Sequence, residues 1–256
     1  YFPLDQASQV ELMNGDALDF TSDKKPGTIT VRVEGEHLSA QEYVLPYGAR
    51  LGELMGHIKY SERSDSEKPQ LFRLSIKERQ KQMLAVALKT LESAVLTARS
   101  GTNTEVALRT EEANLILKWV ERAKSIEPAG QVVIAKAEQR NGLLLENGDL
   151  VKIHAKDGLV LIGGEVLFPN AVAFEKKYDL DDYIKVAGGY TQNADTSRII
   201  VAHRDGSFEE GKHADIVAGD EVLVLPKVDV KSREIAKDLM QMVYQIAIAA
   251  GVVLGL

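Results

Sequence analysis

The chain has 256 residues, 45% hydrophobic and 27% charged, with a formal net charge of −7. This is enough apolar material to bury a core in about two domains, and it is not the composition of a disordered chain. Nucleic-acid binding needs a concentrated Lys/Arg footprint, and none is present; the lack of cysteine excludes disulfides, thiolate nucleophiles and Cys-ligated zinc within these residues.

The chain starts at Tyr1 with no signal peptide, and residues before Tyr1 are expected. Leu12-Met13-Asn14-Gly15-Asp16-Ala17 reads as the end of a module, so 1–26 is expected to be the tail of a preceding unit. Thr28-Ile29-Thr30-Val31-Arg32-Val33 alternates with period two, the pattern of a half-buried strand. A Gly35-Glu36 turn, a second strand and a short helix from Leu51 follow. The charges between Glu62 and Lys68 read as a solvated loop.

Ser75 to Ile126 reads as helical. Ser75 with Glu78, and Thr102 with Glu105, have capping-box spacing. Leu84, Leu88, Leu91 and Val95 share one face, Ser100-Gly101 turns the chain, and Ala113, Ile116, Leu117 and Val120 continue a stripe on the return arm. Pro128-Ala129-Gly130 ends the pair. The spacing predicts an antiparallel helical hairpin with arms of about 30 Å and Trp119 between them. Such a hairpin either folds back on its own module or reaches a neighbouring subunit.

Gly148-Asp149 introduces another strand. Leu159-Val160-Leu161-Ile162, Ile199-Ile200-Val201-Ala202 and Glu221-Val222-Leu223-Val224-Leu225-Pro226 are runs of strand length. Between them come the Gly164-Glu165 turn, a short helix from Leu180 with Asp181-Asp182 at its positive dipole end, and the turn glycines Gly188 and Gly189. Ser232 to Leu256 reads as a terminal helix with Ser232 as N-cap and Glu234 in the first turn. Its last 18 residues, from Leu239, carry no charge.

The chain repeats itself. Gly35-Glu36 aligns with Gly164-Glu165 and Leu51 with Leu180. Leu145 to Ile153 aligns with Ile216 to Val224 through Gly148-Asp149 and Gly219-Asp220. In each pair glycine accepts positive φ, and aspartate can bond nearby backbone N–H groups. The expected organisation is a tail (1–26), a first module (27–155) with the hairpin inserted at 75–127, a compact second module (156–227) and a terminal helix (231–256).

Catalytic constellations are missing. His37, His57, His154, His203 and His213 do not pair at metal-ligand spacing. No Gly-x-Ser-x-Gly elbow, P-loop or complete G-x-G-x-x-G occurs. The reading is therefore a non-enzyme that needs no cofactor.

The order Gly164-Glu165-Val166, Pro169, Leu180, Ala187-Gly188-Gly189, Arg198-Ile199-Ile200-Val201, Gly219-Asp220 resembles the SLBB module, a β-grasp fold. Gly35-Glu36, Leu51, Phe72-Arg73-Leu74 and Gly148-Asp149 repeat it, although no Ala-Gly-Gly follows Met55-Gly56-His57-Ile58. Paired modules followed by an amphipathic tail resemble the outer-membrane polysaccharide export family, closer to its KpsD type than its Wza type. The resemblance implies an α+β chain with two β-grasp modules. It implies a homo-oligomeric cyclic ring in the periplasm and outer membrane of a Gram-negative bacterium. An inner-membrane co-polymerase or ABC exporter would meet it on one side, and a polysaccharide in transit would pass down its middle. In such a ring the tail would span the outer membrane, with Asp238, Gln241 and Gln245 lining the pore and Leu239, Met242, Ile246 and Val253 facing lipid. A periplasmic carbohydrate- or peptidoglycan-binding scaffold that forms no pore, or one that packs through the hairpin alone, is the alternative.

Overall fold

The computed structural model describes residues 27–97, 113–134 except 115 and 119, 137–211 and 214–227, with a few positions between 9 and 14. Gly15-Asp16, the Ser100-Gly101 turn, the Thr102–Glu105 box, Trp119, His213 and the terminal helix lie outside the described residues. With the terminal helix go Asp238, Leu239, Gln241, Met242, Gln245, Ile246 and Val253. Among the described residues no helix is long and apolar enough to cross a membrane.

What is described is α+β, with two five-stranded sheets. The first uses β1 (Thr28–Gly35), β2 (Glu42–Pro46), β3 (Gln70–Phe72), β4 (Gln131–Val132) and β5 (Leu150–Ile153), in the order β2-β1-β5-β3-β4. With it come α1 (Leu51–His57), α2 (Leu74–Thr97) and α3 (Ala137–Gly142). The second uses β6 (Leu159–Gly164), β7 (Asn170–Ala173), β8 (Ala194–Ala202), β9 (Phe208–Glu210) and β10 (Glu221–Pro226), in the order β7-β6-β10-β8-β9, with α4 (Leu180–Val186). The two orders are the same. Each opens with an antiparallel hairpin, and its last strand lies parallel to the first and antiparallel to the third.

The Gly-Glu turns are built alike in both copies. Gly35 (φ +98°) and Gly164 (φ +77°) pass so close to the last strand that an added Cβ would overlap the carbonyl oxygen of Ile153 or Val224. That same carbonyl accepts the next N–H, from Glu36 at 2.8 Å and from Glu165 at 2.9 Å. Each glutamate is then held by a hydroxyl, that of Ser61 at 2.8 Å for Glu36 and that of Thr191 for Glu165.

The short helices start where expected. Asp179 caps α4 by accepting from the Asp182 N–H at 2.9 Å, and Leu180, Tyr183 and Ile184 are buried. The helix closes onto Gly188 and Gly189, whose N–H groups return to the carbonyls of Lys185 and Ile184 at 3.0 and 2.9 Å. No such glycine pair follows α1, which runs straight into an extended residue at Ile58.

The faces of the two sheets differ. In the first, Ile29, Val31, Val33, Val151 and Ile153 pack on α1, while Thr28, Thr30, Arg32 and Lys152 take the other face. In the second, Val160, Ile162, Val201, Val222 and Val224 pack on α4, and the opposite face is apolar too, with Ile200, Ala202, Leu223 and Leu225. A sheet apolar on both sides needs a second cover. The hairpin is that cover. It leaves the first sheet between β3 and β4, at the place where the second sheet has only the tight turn 203–207. Leu84, Leu88 and Leu91 of α2, with Ile116, Val120, Ala123 and Ile126 of the return arm, form one core with Ile200 and Leu223. The hairpin therefore rests on the other module of its own chain, rather than on the module it grows from.

The expected cap at Ser75 is not formed. The helix begins at Leu74, and the Lys77 N–H donates to the Arg73 carbonyl at 2.9 Å. Ser75 is therefore inside the first turn, and its hydroxyl donates to Glu146 at 2.9 Å. Arg73 sets this earlier start, because its side chain is fastened elsewhere.

Candidate functional site

Among the described residues each sheet has one buried carboxylate, and both belong to the repeated Gly-Asp turns. Asp149 is 1% exposed and Asp220 0% exposed. Each bonds the N–H three residues back, that of Glu146 or Val217, at 2.8 Å, as the turn chemistry predicts. A buried carboxylate also needs a cation. Phe72 pairs with Leu150 and Ala202 with Glu221, so the residue after the third strand stands opposite the aspartate in both sheets. In the first it is Arg73, which donates Nε to Asp149 Oδ1 at 2.9 Å and Nη2 to Oδ2 at 2.7 Å. In the second it is His203, whose Nδ1 lies 2.9 Å from Asp220 Oδ2. The fork matches both carboxylate oxygens. The imidazole reaches one, and Asp220 Oδ1 is buried with no hydrogen-bond partner. The bond to Asp149 holds the Arg73 pKa above its usual value, and the bond to Asp220 raises that of His203.

The turn 203–207 also joins the two sheets. Arg204 is 10% exposed and donates Nη2 to both oxygens of Asp157 at 2.8 Å, Nη1 to the Ala155 carbonyl at 3.0 Å and Nε to that of Gly219 at 3.3 Å. Its own carbonyl accepts from Gln70 at 3.0 Å and Gln131 at 3.1 Å, on β3 and β4. The Ile134 N–H donates to the Asp205 carbonyl at 2.9 Å. Gly219 must be glycine, since a Cβ there would occupy the place of the Arg204 guanidinium.

A cleft of about 490 Å³ opens beside this joint, lined from the first sheet by Gln70, Phe72 and Lys152 and from the second by Leu161, Phe208 and Glu221, among others. His154 also lines it, 2.6 Å from Gln70 Oε1. Burial, and then the charge of Arg204, lower the His154 pKa, which disfavours the charged ring. Gln70 spends its amino group on Arg204, so its oxygen accepts and His154 Nε2 carries the proton. Burial raises the pKa of Glu221. Polar groups in the wall hold each other, Gln70 bonding both His154 and Arg204 and Gln131 bonding Arg204.

Of the residues singled out in the sequence, Gly35, Glu36, Gly164, Glu165, Gly188 and Gly189 shape turns. The Gly148-Asp149 and Gly219-Asp220 turns do more, since the carboxylates of Asp149 and Asp220 hold the residue that follows each third strand. Arg73, His203 and Arg204 went unrecognised as functional positions. The repeat held the signal for the first two, because each directly follows a third strand.

No protein-family model matches the chain. Two Escherichia coli proteins, each named polysialic acid transport protein KpsD, are 39% identical to it over 257 aligned residues. The match takes in 100% of this chain and 46% of each relative, so the chain spans about half the length of the curated relatives it matches.

Proposed function

We propose that the chain belongs to the outer-membrane polysaccharide export family, as its 39% identity to the KpsD proteins supports, and that it forms part of a conduit subunit for capsular or extracellular polysaccharide. The observation that carries this reading is the match to transport proteins over 100% of the chain. Two sheets of one topology, locked through Arg204 and braced by the hairpin, suit a scaffold that keeps its shape while a polymer passes. We read each sheet with its short helix as a β-grasp module of the SLBB type. Conduction makes and breaks no covalent bond. It needs a wide, wet passage with weak repeated contacts, because tight binding would stall the polymer.

In this reading the subunits close into a ring in the periplasm and outer membrane, fed by an inner-membrane co-polymerase or ABC exporter. Leu239–Leu256 supplies the outer-membrane element, since 18 helical residues reach about 27 Å against a hydrocarbon core of about 30 Å. Asp238, Gln241 and Gln245 would face water, and Leu239, Met242, Ile246 and Val253 lipid. Electron-microscope images of the detergent-solubilised full-length protein test the ring. Closed rings are expected, and a uniformly monomeric protein at high concentration refutes it. Removing the gene from its host is expected to leave polysaccharide inside the envelope, and undiminished surface polymer would refute the export role.

A further inference from the structure

We infer that the second sheet carries a pH-sensitive clasp. Protonated His203 fastens the turn 203–207, and with it the joint between the sheets, to buried Asp220, whereas the matching pair of Arg73 with Asp149 holds at every physiological pH. The inference goes beyond the export role and does not depend on it.

The geometry of the duplication carries the argument. Two carboxylates, equally buried and in equal register, face different cations. Arg73 meets both oxygens of Asp149 and cannot lose its proton in a protein. His203 meets one oxygen of Asp220, leaves the other unpaired, and is the side chain whose charge changes near neutrality. When His203 loses its proton, the Asp220 carboxyl faces a neutral ring, and no other cation is bonded to it among the described residues. That is the costly state of a buried half-pair.

The turn transmits this loss. The His203 backbone N–H donates to the Ser207 carbonyl at 2.9 Å and its carbonyl accepts the Gly206 N–H at 3.0 Å, so the residue whose ring Asp220 holds also closes the root of the loop. Between those residues lies Arg204, with its bonds to Asp157, Ala155 and Gly219 and its carbonyl held by Gln70 and Gln131. Loosening the root of the turn therefore loosens the joint.

The charged surroundings favour the proton. Glu209 of β9 places an oxygen 3.8 Å from His203 Nε2, and Asp205 stands in the same turn. The other titratable groups lining the cleft are Glu221 of β10, Asp157 and, across the gap, Lys152 of β5 and His154 just after it, with Arg204 as the fixed cation. The hydrogen bond to Asp220 raises the His203 pKa above 6.5 against the opposing effect of burial. A raised histidine pKa stabilises the fold fully below the unfolded value and loses that contribution as pH rises through the folded value. The window therefore opens at 6.5 and extends upward. His154 works in the opposite sense and below 6.5, because its pKa is lowered. Glu221, raised from 4.5, shares the sign of His203 but begins its window at acid pH.

Hydrogen exchange on the intact chain, followed by mass spectrometry and corrected for intrinsic rates, tests the clasp. Peptides covering 203–211 are expected to lose protection between about pH 6 and about pH 8.5, while those covering 144–150 hold theirs. His203→Arg is expected to abolish the difference, and Arg73→His to transfer it to the first sheet. His203→Gln keeps a neutral donor and should hold the turn at the wild-type high-pH level throughout. Unchanged protection of 203–211 in the wild type overturns the proposal. So does a pH dependence that survives in both His203 variants, or an NMR titration placing the His203 imidazole at or below 6.5.

Discussion

Replacing Arg204 with alanine tests the joint most directly. The side chain is 10% exposed, makes four hydrogen bonds, and holds Nη1 3.7 Å from Oδ2 of Asp65, whose side chain is 15% exposed. The Asp157 side chain is 44% exposed, so its freed carboxylate rehydrates, and that part of the loss is about 1 kcal/mol. The Ala155 carbonyl still accepts from the Asp157 N–H at 3.0 Å. Losing the charged donors to Ala155 and Gly219 costs about 1 kcal/mol each. Losing the Asp65 pair adds to these, so the expected destabilisation is at least about 3 kcal/mol, or a fall in urea midpoint of about 1 M or more. Arg204→Lys keeps the charge but cannot reach three acceptors at once, and should recover about a third of the loss. Equilibrium urea unfolding followed by circular dichroism measures both. A change below about 0.5 kcal/mol for Arg204→Ala, the range of ordinary surface substitutions, would show that the joint is held by something else.

The packing of the hairpin on the second sheet can be checked with a double-mutant cycle. Leu91→Ala and Leu223→Ala should each cost about 2–5 kcal/mol, and their sum should miss the double mutant by at least about 0.5 kcal/mol. Strict additivity would place the hairpin elsewhere. Gly164→Ala meets both a positive φ and the Val224 carbonyl, whereas Gly158→Ala meets a positive φ with open space around it. The first should cost more than about 2 kcal/mol and the second about 1 kcal/mol, so equal thermal shifts would refute the close-approach argument. For the terminal segment, single cysteines at Gln241 and Gln245 should react with a water-soluble thiol reagent in the membrane-assembled protein. Those at Met242 and Ile246 should stay protected, and equal labelling of all four would sink the spanning assignment.

The repeat made much of the fold legible. Glycine followed by glutamate or aspartate is local chemistry, and it located the crossing at Gly35 and Gly164 and the helices starting at Leu51 and Leu180. An apolar stripe such as Leu84, Leu88 and Leu91 says that a face is covered, but not by what. Its partners Ile200 and Leu223 stand over 100 residues away, on a strand pair that reads simply as apolar. The ion pairs were hidden for the same reason, because Arg73 and Asp149 are 76 positions apart. Ser75 misled, since a capping box is a local signal and the helix start is set by Arg73 reaching across the sheet. The joint built by Arg204 has no sequence signature, being a side chain in a turn whose acceptors, two backbone carbonyls and the Asp157 carboxylate, lie 15 to 49 positions away.

The route of the hairpin also imposes a timetable. Its apolar face is synthesised with residues 84–126, but the strands that cover it, β8 and β10, end at Ala202 and Pro226. At about 5–20 residues per second, a ribosome needs roughly 5–20 s to add that intervening stretch. Throughout that interval the nascent chain holds a sticky pair of helices whose resting place does not yet exist. A chaperone that shields them has a defined task and a defined moment of release, the emergence of β10. Truncation anywhere between Gly130 and Glu221 would leave the shield permanently occupied.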